Sequence, residues 1–354
     1  MVAEPRAGGA LSIYGKDNVP FHTVIFPGSQ LGTSDKWTMP NHISTTEYLN
    51  YEHGKFSKSR GVGVFGTNAK ETGIPSDVWC YYLLSNRPET GDSEFEWDGF
   101  IASNNNELLK NFGNFVNRVI KFVNSKICDS VVPDYTKHTE PCFDERKKEV
   151  NAALAQYNEE LHAVKFKAAL QTAMRVSSIG NKLLQDNKID NKLATEQPDK
   201  CAAVVGLALN QIHLLASLIE PYMPATSALI LEQLNMPLLI ILDLCEADSI
   251  KLNHKIGQAA HLFSVIKPEK EKEWRELFGG EEARKTKAEK EAKAAAKKAE
   301  KERKKAAKAA AKDEGAKGES VEAIEKGGKE ALPGENMAVG KVSEGVKQVV
   351  LQSS

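Results

Sequence analysis

The stretch Gly54-Lys55-Phe56-Ser57-Lys58-Ser59-Arg60-Gly61 is where residue types and spacing come nearest to chemistry. Two lysines, two serines and flanking glycines make a short cationic loop with backbone N–H groups to spare, and such a loop can hold a polyphosphate. A lysine on a mobile loop can meet negative charge as it grows on a departing phosphate. A solvated lysine-rich turn has the same composition, so the loop alone leaves both readings open.

The elements that must position this loop are of two kinds. Residues 11–100 mix short apolar runs with Gly and Pro punctuation, which predicts pieces of an α/β domain. Gly15 to His22 reads as a strand-end loop, Thr23 to Phe26 as the start of a β-rich or helical segment, and Tyr48 to Glu52 as a strand entering the lysine loop. A helix opens at Ile74-Pro75-Ser76-Asp77 and runs through Leu84, with Ser76 or Asp77 as its cap. From Asn104 the period turns helical: Leu108, Leu109, Phe112, Phe115, Val116, Val119, Ile120 and Val123 recur at three- and four-residue steps, with Asn104 or Asn105 as cap. Further helices are predicted over Asp144–Lys165, Phe166–Asp186, Lys200–Leu218 and Ala225–Leu234, joined by modest loops that favour an antiparallel bundle. The predicted fold is mainly α: a Rossmann-like α/β remnant over 11–100, a helical bundle over 101–280, and a low-complexity tail over 281–354, helical and then disordered.

Composition bounds the rest. The chain has 354 residues, a formal net charge of −1 and average apolar content, as expected of a soluble globular protein. Five widely spaced cysteines without a C-x-x-C pair indicate neither a disulfide framework nor a zinc site, and a reducing compartment fits them. Met1 to Ala10 lacks the apolar core of a signal peptide, and Met236 to Leu242, the longest apolar run recognised, is too short to span a bilayer. A cytoplasmic location with no membrane contact is the expectation. Between Arg284 and Lys312 thirteen Lys/Arg stand against four Glu. That run is either a solvated face or an arm for phosphate-bearing partners.

Several segments together carry a resemblance. Lys16-Asp17-Asn18-Val19-Pro20-Phe21-His22, Phe26-Pro27-Gly28, Tyr48-Leu49-Asn50-Tyr51-Glu52, Lys55-Phe56-Ser57-Lys58-Ser59, Asp77 to Leu84 and Arg87-Pro88-Glu89 resemble, in order and spacing, methionyl-tRNA synthetases of the eukaryotic cytosolic type, which are class I aminoacyl-tRNA synthetases. The resemblance implies methionine–tRNA ligase activity with ATP, accompanied by Mg2+, as substrate and with methionine and its tRNA as partners. It assigns catalysis to Lys58 and Lys55, ATP or adenylate contacts to Gly15, Asp17, Ser57 and Ser59, and the methionine pocket to Phe21, His22 and Phe26, where many relatives carry Trp in place of Phe26. No protein-bound metal is expected.

The stretch Asn106 to Arg118 is similar to the start of the family's anticodon-binding domain, which implies that Asn114 and Arg118 read anticodon bases. Gly180-Asn181 and Gln185 resemble a following segment, but Ile189-Asp190 stands where many relatives have Pro-Trp, the ring on which a base stacks. The family's His-x-Gly-His or His-x-Gly-Asn turn begins at none of the eight histidines. The expectation is therefore a chain resembling the C-terminal part of a synthetase, without the N-terminal half of the catalytic domain and with little adenylation on its own. The alternative is a non-catalytic tRNA anticodon-binding module or a gene-model fragment. The basic tail is expected to tether tRNA or to contact other synthetases.

Overall fold

The computed structural model describes residues 10–33, 35–125, 127–239 and 249–280, all within one compact unit, 1–287. The expectations for the tail, 281–354, lie outside the described residues. β1 (Ala10–Gly15) and β2 (Pro40–Thr46) pair in parallel, with Leu11 opposite His42 and Gly15 opposite Thr46. Parallel strands need a crossover. Here it is a 3-10 turn at Lys16–Asn18, a π-wound turn at Phe21–Ile25 and α1 (Phe26–Leu31), so the segment from Thr23 to Phe26 is helical. β3 (Leu49–Tyr51) pairs in parallel with β4 (Ser93–Phe95), Tyr51 opposite Phe95. Between them lie the lysine loop, α2 (Gly66–Glu71) and α3 (Ser76–Ser85).

The rest is helical. α4 (Trp97–Ala102) continues through a π-wound stretch, Ser103–Gly113, into α5 (Asn114–Val123). Asn104 and Asn105 therefore cap nothing, because the apolar stripe extends upstream through Trp97, Phe100 and Ile101, all buried. Their amides instead donate to the carbonyls of Ser264 (3.0 Å) and Ile266 (2.8 Å), fixing a distant loop. α6 (Pro141–His162) starts ahead of Asp144 because Pro141 fits the first helical turn. α7 (Phe166–Asp186) follows as expected, α8 (Asn191–Glu196) is capped by Asp190, and α9 (Pro198–Ile219), α10 (Pro224–Leu234) and α11 (Glu269–Leu277) complete the described set. α9 has the length and apolarity of a membrane span, which the sequence reading overlooked, but most of it is buried inside the fold as a core helix.

Several long-range contacts join the sheet region to the helices, two of them around buried side chains. Asp77 does not cap its own helix; it is 4% exposed and accepts hydrogen bonds from the Thr226 backbone N–H (2.6 Å) and hydroxyl (2.7 Å) at the start of α10. An aromatic floor of Trp79, Phe95, Trp97 and Phe100 lies beneath β3 and β4, and Trp274 and Phe278, on and just after α11, stack against Trp97 at 4.9 and 5.6 Å. The Trp97 indole N–H donates to the Tyr51 hydroxyl at 2.8 Å, whereas the buried Trp79 indole N–H has no hydrogen-bond partner among the described residues.

Candidate functional site

The lysine loop stands on a fixed base. Ser57 and Val62 exchange backbone hydrogen bonds at 2.9 Å each, and the Gly61 N–H closes on the Lys58 carbonyl at 3.2 Å. Lys58-Ser59-Arg60 is thus the tip. Phe56 turns inward onto Tyr51 and Phe65, with ring centroids at 5.4 and 6.0 Å. Gly63 has φ +108, and a Cβ there would fall 2.2 Å from Phe56 Cδ1, so only glycine fits behind the inward ring. The Gly63 N–H donates to the Phe278 carbonyl at 2.9 Å and Val62 bridges to Gly279, so the segment after α11 clamps the base. Lys55, Lys58, Ser59 and Arg60 are exposed; Ser57 is half-buried, and its hydroxyl accepts from Arg60 Nε at 3.1 Å. Among the described residues neither lysine forms an ion pair, which leaves their charge available to an anionic ligand.

The β1 turn lies within electrostatic reach of this loop. The Tyr48 hydroxyl donates to Asp17 at 2.5 Å, and Lys16 pairs with Glu47 and with Asp92 (3.3 Å). The Asp92 carboxyl is drawn below its ordinary range, first by the Tyr48 backbone N–H at 3.0 Å, then by Lys16 and by the charge of Lys55. Asp92 therefore ties Lys16, at the turn after β1, to the backbone of Tyr48 just ahead of β3. No local sequence signal marks Asp92 or the clamp at Phe278–Gly280, since both act across long separations.

Phe21 and Phe26 are brought together by the π-wound turn, where the Phe26 N–H donates to the Phe21 carbonyl. They are 56% and 53% exposed. His22 is exposed, stacks on Tyr14 at 4.2 Å and contacts the Asn18 carbonyl through Nδ1 at 2.9 Å. All three side chains face solvent, and the ring partner of His22 is Tyr14.

Asn114 and Arg118 sit one turn apart on α5, both exposed. Arg118 borders an open groove of about 500 Å³ whose other side is Asn181, Leu184 and Gln185 of α7 with Lys188, Ile189 and Asp190. Asn181 is itself held by the Asn111 carbonyl at 2.8 Å, which fixes α7 against the helix that carries Arg118. Ile189 and Asp190 line this groove.

With this geometry in hand, comparison with known proteins is specific. Residues 4–120 match the model described as tRNA synthetases class I (M), and residues 132–283 match that of the anticodon binding domain of methionyl tRNA ligase. The cytoplasmic methionine–tRNA ligase of Saccharomyces cerevisiae is 51% identical over 268 residues, which cover 76% of this chain and 35% of that protein. The cytoplasmic methionine–tRNA ligase of Homo sapiens is 41% identical over 276 residues, 76% of this chain and 30% of that one. The structure of the Mycobacterium tuberculosis methionyl-tRNA synthetase in complex with methionyl-adenylate matches with a TM-score of 0.61 at 20% identity, over 72% of this chain and 49% of that chain; the likeness there is one of fold. Parallel strands around a lysine loop, followed by a helical region, are thus the arrangement of a class I aminoacyl-tRNA synthetase. Within that class the chain belongs to the methionyl-tRNA synthetase family. It spans about a third of the length of the curated relatives it matches.

Proposed function

We propose that this chain carries two working surfaces of a cytoplasmic methionine–tRNA ligase: part of the site that activates methionine, and the surface that reads the anticodon. The observation that carries the reading is the loop itself, with Lys55 and Lys58 exposed and, among the described residues, without an ion-pair partner above a base pinned at Val62 and Gly63. In activation the methionine carboxylate attacks the α-phosphate of ATP and pyrophosphate leaves. Charge accumulates on the leaving group, and a lysine that meets it there stabilises the transition state over the ground state. Lys58 takes that role; Lys55, Ser57 and Ser59 shape the loop around the phosphates. Gly15 and Asp17 face the ribose, and Phe21, His22 and Phe26 supply one wall for the methionine side chain. Mg2+ enters with the nucleotide.

Residues 11–100 are assigned to the nucleotide-handling domain and 101–280 to an antiparallel anticodon-binding bundle. Asn114 offers a donor and an acceptor together and Arg118 a rigid donor fork, which suits base edges splayed from an RNA loop. The tail, 281–354, supplies phosphate affinity or contacts to other synthetases.

A second reading, a tRNA-binding module without adenylation, is favoured by the exposure of Phe21 and Phe26, since a selective apolar pocket needs facing walls. Both readings are tested on the purified chain by methionine-dependent ATP–pyrophosphate exchange alongside tRNA binding. The expected result is binding of methionine-specific tRNA with little or no exchange. Exchange at the level of a full-length relative would assign activation to this chain alone, and failure to bind the tRNA would remove both readings.

A further inference from the structure

The turn leading into the lysine loop carries a cluster with different chemistry. Along β4 and the residue after it, alternation puts Glu94 and Glu96 on one face while Phe95, 1% exposed, points into the aromatic floor. The neighbouring strand ends beside them. The Glu52 N–H donates to the Phe95 carbonyl at 3.0 Å, and the Glu52 carboxylate is held by the Trp97 N–H (3.0 Å) and by Arg275 (2.8 and 3.1 Å). With Glu52 fixed, the left-handed backbone of Glu52 and His53 (φ +46 and +65) lays the imidazole over the two carboxylates. His53 Nδ1 lies 2.7 Å from Glu94 Oε2 and Nε2 lies 3.7 Å from Glu96 Oε1.

We propose that His53, Glu94 and Glu96 form a binding site for a divalent first-row transition-metal ion of the zinc type, and that the bound ion stiffens the entry to the lysine loop. One donor atom from each residue lies within 4.8 Å of the others. A tetrahedral ion with bonds of about 2.1 Å holds its donors roughly 3.4 Å apart, so the 2.7 Å His53–Glu94 pair opens and the wider separations close, adjustments that three side chains at the surface reach by rotation. Charge argues for an ion. Among the described residues neither carboxylate has a lysine or arginine within 4.0 Å, so the two carboxylates face the imidazole without a fixed cation beside them. One nitrogen with two carboxylate oxygens suits zinc or its neighbours better than Mg2+ or Ca2+, which take oxygen ligands throughout. Three protein ligands leave a fourth position for water. The ligands are distant in sequence, which is why the absence of cysteine pairs led to the expectation of no protein-bound metal. The site is independent of whether this chain activates methionine.

The test uses the full 354-residue chain, stripped with a chelator and titrated calorimetrically with Zn2+. His53→Asn removes the ligand while keeping a residue that tolerates the left-handed backbone, and Glu94→Gln with Glu96→Gln removes the oxygens' charge without changing their shape. The expected result is a site present in the wild type and weakened by at least roughly tenfold in each variant. Zn2+ is also expected to slow tryptic cleavage after Lys55 and Lys58 in the wild type but not in His53→Asn. Circular dichroism establishes that each variant is folded. No zinc binding by the wild type, or a wild-type isotherm in both folded variants, overturns the site; cleavage rates unaffected by zinc overturn its coupling to the loop.

Discussion

Arg118 stands exposed on α5, one helical turn after Asn114, and borders a groove whose far side is α7. Because it supports no core packing, its removal separates recognition from stability. Arg118→Ala is expected to cost about 1–3 kcal/mol of discrimination between the cognate anticodon stem-loop and one with a changed base, with the melting temperature unmoved. Fluorescence anisotropy with both stem-loops measures it; equal weakening of the two would place Arg118 on the phosphate backbone instead. Helical periodicity puts positions 114 and 118 on one polar face beside an apolar stripe, which a solvated face would equally do; only the family resemblance singles the two residues out. Asp92 was not legible in the sequence. Its importance rests on Tyr48, Lys16 and the charge of Lys55, none of them adjacent to it in sequence.

At the scale of elements, the loop is a mobile-looking segment with an immobile foundation. Its glycines and lysines could be read directly, but the clamp by Phe278 and Gly279 could not, since nothing in either segment names the other. Gly63 is where the foundation is tightest. Gly63→Ala forces a methyl into the Phe56 ring at a φ that side chains rarely adopt, so a destabilisation of about 1–3 kcal/mol is expected from overpacking and backbone strain together. Thermal denaturation reports the loss, and limited trypsinolysis at Lys55 and Lys58 reports whether it begins at the loop. A variant as stable as the wild type would mean that Phe56 moves aside at no cost. Helix extents show the same division between local and distant causes. Phe166–Asp186 agrees with the sequence reading because its apolar period is self-contained. The starts proposed at Asn104 and Asp144 fail because Trp97 to Ile101 extends the buried stripe and Pro141 begins the turn earlier. Asp77, a plausible cap by composition, is drawn off by Thr226, 149 residues away.

For the whole molecule the governing feature is the distribution of charge. The formal net charge is −1, yet thirteen Lys/Arg against four Glu are gathered between Arg284 and Lys312, so the remainder of the chain is acidic. An acidic body repels a polyanion over distances set by the Debye length, about 8 Å at physiological salt. The anticodon contacts proposed at Asn114 and Arg118 would therefore operate against that field unless a cationic segment offsets it. If the arm engages tRNA phosphates, each one neutralised adds about 0.7 to 0.9 to the slope of log affinity against log salt. Deleting residues 281–354 is then expected to flatten that slope by several units and to weaken binding most at low salt, while the preference between cognate and altered anticodons is retained. Binding isotherms at a series of salt concentrations, for the full and shortened chains, measure both quantities. An unchanged slope would assign the phosphate contacts to the helical region and leave the tail without a part in tRNA affinity; a lost preference would tie the arm to base recognition at Arg118.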